Sequence, residues 1–119
     1  MERMATTKLY DMEERTFLFA KRVRALVKLL PRTVANIEDA KQLVRSSGSV
    51  GANYIEANES FSKKDFLLRA KIARKEAKET RCWLRLIDCG DRTDADSERD
   101  SAESTELMNI LGSMIRKTE

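Results

Sequence analysis

Apolar positions along the chain recur at steps of three and four residues and predict four amphipathic helices, at about 11–30, 34–60, 63–89 and 97–117. In the first, Met12, Phe19, Val23, Leu26, Val27 and Leu30 share a stripe, and Pro31 stops the helix. Asp11 is the expected N-cap, with Glu13 and Glu14 in the first turn where the helix dipole favours acids. Residues 1–10 show no sustained period and are expected to be a ragged lead-in. Phe17 falls outside the stripe beside Lys21 and Arg24, either as an ordinary exposed aromatic or as a contact for another subunit.

Thr33 is a good N-cap for the second helix. Ile37, Ala40, Val44, Ser47, Gly51, Tyr54, Asn58 and Phe61 keep a heptad-like spacing along it and form the expected core seam. A second stripe, Leu43, Ser46, Val50, Asn53 and Ala57, lies beside the first, so this helix is expected to touch more than one neighbour. Its middle, RSSGSVGANYIEANE from Arg45 to Glu59, carries Gly48 and Gly51. Glycine costs a helix interior about 1 kcal/mol relative to alanine, so close approach of a neighbouring backbone is expected there, within the chain or between subunits.

The third helix starts at Ser62, with Asp65 completing a capping-box-like pair. It repeats Phe66, Ala70, Ala73, Ala77, Thr80, Leu84 and Ile87, which places Ala73 and Ala77 opposite Ser47 and Gly51. Glu76 and Glu79 sit on a flanking stripe with Ile72, Trp83 and Leu86 and are expected to be partly buried and paired. A polar stretch from Asp88 to Ser104 leads into the fourth helix, whose apolar face is Leu107, Ile110, Leu111, Met114 and Ile115. Short connections between such helices predict an all-α, antiparallel up-down-up-down bundle forming one domain over residues 1–119.

Composition agrees with a helical bundle: 36% charged and 41% hydrophobic residues with a single proline. No apolar run approaches the roughly 18 residues of a membrane span and the N-terminus lacks a signal-peptide layout, so a soluble, cytoplasmic protein with reduced Cys82 and Cys89 is expected.

Charge is segregated. Residues 1–89 hold nineteen bases against twelve acids, whereas residues 90–119 hold eight acids against four bases. Lys71, Arg74, Lys78, Arg81 and Arg85 fall on one stripe of the third helix, and only Arg85 has an acid, Asp88, within helical reach. Such a stripe suits the phosphates of RNA or DNA. Alternatively, it is merely solvated or faces acids of neighbouring helices, such as Glu13, Glu14, Glu103 or Glu106.

Enzymatic readings are poorly supported. The chain has no histidine, which removes the commonest general base and the Glu-x-x-His pairs of di-iron bundles. Pairing of Glu56, Glu59, Glu76 or Glu79 with Arg45 or Arg69 is favoured over an all-carboxylate Mg²⁺ or Ca²⁺ site. Ser46, Ser47 and Ser49 lack a nucleophile elbow, and Gly48-x-x-Gly51 is too short for a phosphate loop. No enzyme activity, metal or cofactor is expected.

The segment QLVRSSGSVGANYIEANESFSKKDFLLRAKIARKEAKETRCWLRLI, Gln42 to Ile87, resembles the four-helix-bundle proteins encoded in intervening sequences of bacterial large-subunit (23S) rRNA genes. The outer helices fit the same likeness. Ser49, Asn53, Glu56 and Glu79 match positions of the family pattern, although Ala57 stands where many members have a glycine. The resemblance implies a ring-like homo-oligomer, a homopentamer in the family, with no established enzyme activity and a nucleic-acid role. A related group, the accessory variability proteins of diversity-generating retroelements, binds RNA and a reverse transcriptase. With the residue reading, this yields a non-enzymatic homo-oligomer binding RNA or DNA through Lys71, Arg74, Lys78, Arg81 and Arg85. The alternative is a protein-binding scaffold or accessory factor. Ser49, Asn53, Glu56 and Glu79 are expected as a buried polar network, and Gly48 and Gly51 as close packing or oligomer contacts.

Overall fold

A computed structural model describes the backbone of residues 2–91 and 95–119 and the side chains of residues 12–91 and 95–119. Helix-start chemistry falls where the sequence places it. The Thr33 hydroxyl accepts from the Asn36 N–H at 3.1 Å, and the Ser62 hydroxyl accepts from the Asp65 N–H at 3.1 Å. These caps open two of four helices: α1 (Glu2–Leu29), α2 (Val34–Asn58), α3 (Lys63–Leu86) and α4 (Ala95–Thr118). No strand occurs among the described residues. The expected lead-in is instead helical from Glu2, because residues 2–10 contain neither proline nor glycine to interrupt it. Asp11 therefore lies within α1 rather than at its cap, and its side chain is outside the described residues.

Consecutive helices run in opposite directions, as their partners show. Thr16 meets Gly51 and Arg24 meets Gly48 between α1 and α2. Ser46 meets Thr80, and Asn53 meets Arg69, between α2 and α3. Ser97 meets Leu84, and Thr105 meets Arg81, between α3 and α4. The α1 stripe is buried except for the half-buried Val27, and it meets Leu43, Val50, Tyr54, Ala73, Ala77, Leu84, Leu107, Met108 and Leu111 in one core.

On α2 the two stripes exchange roles. Leu43, Ser46, Val50 and Ala57 are buried, whereas Ile37, Asn58 and Phe61 of the expected core seam are exposed, Phe61 completely. Ser47 and Tyr54 of the expected seam are buried as well, so the core faces between the two stripes. The rotation moves Gly51 as well. A Cβ there would lie 2.9 Å from the Thr16 hydroxyl of α1, so its close neighbour is α1 rather than the alanines of α3. Thr16 is itself buried, its hydroxyl bonded to the Met12 and Glu13 carbonyls.

α3 ends at Leu86, earlier than expected, because Ile87 turns extended and the next residue is captured from another helix. Asn36, 3% exposed, donates through Nδ2 to the carbonyls of Pro31 at 2.9 Å and Asp88 at 2.8 Å. Its Oδ1 accepts from the Asp88 N–H at 3.0 Å. One side chain thus ties the α1–α2 turn to the end of α3. Gly90 completes the crossing with φ +69°, where a Cβ would stand 2.9 Å from Pro31 Cγ. Cys89 is buried beside it, and Cys82 is exposed.

On α4 a buried carboxylate lacks compensation. Asp100 is 1% exposed, and neither of its oxygens has a hydrogen-bond partner. The nearest described cation, Arg99 Nε at 3.7 Å, is too distant to bond. Burial pushes the carboxyl above the ordinary aspartate range, opposed by Arg99 and by Arg22 of α1, with Asp96 adding to the rise.

Candidate nucleic-acid interface

The predicted basic stripe lies along α3 beside α4. Lys71, Arg74, Lys78 and Arg85 are exposed, and Arg81 is half-buried with Nη1 donating to the Thr105 hydroxyl at 3.1 Å. Lys71 Nζ lies 3.5 Å from the Glu119 carboxylate, an exposed pair of little strength. Among the described residues, Arg74, Lys78 and Arg85 have no ion-pair partner. The Arg74 guanidinium stem runs across Gly112 of α4, with Nε 3.4 Å from where a Cβ would stand. Lys78, Arg81, Cys82, Arg85 and Leu86 line an open cleft of about 400 Å³.

Two of the acids expected across from this stripe, Glu103 and Glu106, are engaged by α1 instead. Arg15 of α1 grips Glu103 with Nε and Nη2, each at 2.8 Å, and also reaches Glu106 at 3.0 Å. This fork clamps α1 to α4 and occupies both carboxylates. Arg74 and Lys78 thus keep their charge exposed, while Glu98 of α4 lines a shallow pocket together with Arg85.

The polar groups between α2 and α3 assemble differently from expectation. Arg45 bonds Glu76 at 3.1 Å and also Glu79, which receives the Trp83 indole N–H at 3.4 Å. Next to this trio the Thr80 hydroxyl donates to Ser46 at 2.8 Å. Of the expected network only Glu79 belongs here. Ser49 and Asn53 are half-buried and bond along their own helix, to the Arg45 and Ser49 carbonyls, while Arg69 reaches Asn53 Oδ1 at 3.4 Å. Glu56 is exposed and stands apart, since it lies outside both apolar stripes of α2. Of the residues that do the inter-helix bonding, Ser46 follows from the second stripe of α2, Glu76 from the flanking stripe of α3 and Thr80 from its core stripe. Among the described residues no three His, Cys, Asp or Glu side chains converge as a metal site would require.

Gly48 and Gly51 border a second feature, an open groove between α1 and α2. It has a volume of about 460 Å³, a mainly apolar lining that includes Phe17, Ala20, Ala52 and Ile55, and Lys21, Arg24 and Glu13 at its edges. A Cβ on Gly48 would come 3.3 Å from the Arg24 guanidinium, whose Nη2 also donates to the Val44 carbonyl at 3.4 Å. Lys21 Nζ stands 5.6 Å from the centre of the Phe17 ring, a cation–π approach on the surface.

Four packed helices with a basic flank define a small all-α bundle protein presenting a charged face. More particularly, the chain belongs to the 23S rRNA-intervening sequence protein family, whose model matches residues 9–117. It is also similar to a crystal structure of a protein with unknown function from the S23 ribosomal protein family of Bacteroides thetaiotaomicron. That likeness has 36% identity and a TM-score of 0.74, and covers 87% of this chain and 96% of the other. No curated protein matches the chain. No helix among the described residues is long and apolar enough to cross a membrane.

Proposed function

We propose that the protein is a non-enzymatic, self-assembling helical bundle that binds RNA or DNA through Lys71, Arg74, Lys78, Arg81 and Arg85. The observation carrying this reading is the absence, among the described residues, of ion-pair partners at Arg74, Lys78 and Arg85, while Glu103 and Glu106 of α4 are held by Arg15. A row of solvated cations gains free energy by releasing counterions from a phosphate backbone, which requires no base-specific contact. Binding is then tolerant of sequence and steeply dependent on salt.

Fluorescence anisotropy with random single- and double-stranded RNA and DNA across a salt series tests the reading. Five phosphate contacts predict a log–log slope of about −4.5 for duplex DNA, and Arg74→Glu/Lys78→Glu/Arg85→Glu abolishes binding while leaving the helical content intact. Absence of binding by the unaltered protein at low salt sinks it.

A second reading draws on Leu86, which is 59% exposed among the cations of the α3 cleft. An apolar contact ringed by positive charge suits an acidic protein surface, such as that of a polymerase or reverse transcriptase. Capture of a protein partner that persists after nuclease treatment favours this reading over the first.

A further inference from the structure

We propose that the α1–α2 groove is a socket for Phe61 of a second copy of the chain. The inference rests on the self-assembly part of the reading above and names the surfaces that carry it. Phe61 is wholly exposed at the turn between α2 and α3. Its backbone is nevertheless held. The Ser60 N–H bonds the Ala57 carbonyl at 3.2 Å on one side, and on the other Ser62 caps α3. With the backbone held, insertion orders only the two side-chain torsions of the ring, and aromatic anchors in apolar pockets carry much of the energy of protein interfaces.

The socket has the complementary character. Its volume of about 460 Å³ is ample for one aromatic side chain, and Phe17, Ala20, Ala52 and Ile55 offer that ring apolar walls. Phe17 and Ile55 are 56% and 45% exposed, so no described part of the same chain fills the groove. Charge selects the partner. The cleft beside Phe61 carries Glu56, Glu59 and Asp65 against Arg69, and Arg69 is already directed to Asn53. The groove carries Lys21 and Arg24 against Glu13. The acidic cleft on one side of the ring, with Lys63 and Lys64 on the α3 start beyond it, thus meets a basic rim around the socket.

Knob and socket are different surfaces, so the contact is head-to-tail, and each copy keeps one free ring and one free groove for further neighbours. This arrangement makes a distinctive prediction. Phe61→Ser removes the knob and keeps the socket, and Ala52→Glu blocks the socket and keeps the knob. Each variant alone is monomeric by analytical ultracentrifugation, with the dissociation constant raised by about 30-fold or more. Mixed together, they form a one-to-one dimer that grows no further. Circular dichroism melting of each variant checks that the fold is retained, since both positions are exposed.

Assembly of Phe61→Ser like the unaltered protein overturns the inference while self-assembly stands, and loss of assembly in Phe17→Ser alone then assigns a symmetric pairing of grooves. Failure of the two folded, monomeric variants to pair on mixing also overturns it. An unaltered protein that is monomeric at every concentration removes both the inference and the self-assembly reading, without touching nucleic-acid binding.

Discussion

The seam between α2 and α3 and the seam between α1 and α2 use small residues to opposite ends. Between α2 and α3, Ser46, Ser47, Ala70, Ala73, Ala77 and Thr80 are all buried, and the Arg45 clamp on Glu76 and Glu79 closes the flank. Between α1 and α2, Gly51 admits Thr16 and Gly48 lies under the Arg24 guanidinium, yet the seam opens outward into an apolar groove. Small side chains bring helices together in both places. Whether the junction is sealed depends on the next residues outward: paired charges in one case, Phe17 and Ile55 in the other.

The most damaging way to break the contrast is to enlarge the sealed seam. Ala77 is fully buried, so Ala77→Leu forces α2 and α3 apart and is expected to cost about 3 kcal/mol in a urea melt. The same enlargement at Ala52, exposed in the groove, should leave monomer stability nearly unchanged.

Asp100 sharpens the comparison from the α4 side, since Arg22 of α1 is one of the cations acting on it. Its carboxyl keeps a proton to higher pH in the folded chain than in the unfolded one. The unfolded state therefore ionises first, and stability falls as pH rises from the ordinary aspartate range through the raised native value. Asp100→Asn removes the charge that burial disfavours. It should add about 1–2 kcal/mol at neutral pH and flatten that part of the pH–stability curve.

The two glycines give the smallest effects and the finest distinction. At Gly51 an added methyl meets Thr16, whose hydroxyl is held by two carbonyls, so Gly51→Ala should cost about 1 kcal/mol net of the gain in helix propensity. At Gly48 the obstacle is the far end of Arg24, which can swing aside, so Gly48→Ala should fall within about 0.5 kcal/mol of the unaltered protein. Equal costs at both sites would mean that the seam packs alike along its length.

Helix α3 was legible in the sequence because each of its stripes has one chemical character: Ala70, Ala73, Ala77, Thr80 and Leu84 inward, and Lys71, Arg74, Lys78 and Arg85 outward. Helix α2 was not, because small and apolar residues occupy two adjacent stripes and periodicity does not say which faces the core. Choosing the stripe with Gly51 and Phe61 as the seam turned the helix by less than the roughly 100° of one residue, since Ser47 and Tyr54 of that stripe are buried together with Leu43, Ser46, Val50 and Ala57. Glu56 lies outside both stripes and was placed in the network by the family pattern alone. Asn36, Thr16 and Asp100 escaped for a different reason. A buried polar residue is read from what it meets, and Pro31 and Asp88, which satisfy Asn36, lie on segments far apart along the chain. The basic stripe was visible at once, but its exposure depended on Arg15 engaging Glu103 and Glu106, a contact between the first and last helices.

The Asn36 side chain also bears on where the chain tolerates inserted sequence. It staples the turn at Pro31 to the one at Asp88, so a tag spliced into either connection must break a buried three-bond junction. The opposite end of the bundle has no such staple on Phe61, whose ring is free. Engineering room and assembly chemistry therefore share the turn at residues 59–62. A peptide inserted there is expected to spare the fold of each copy while separating copies from one another.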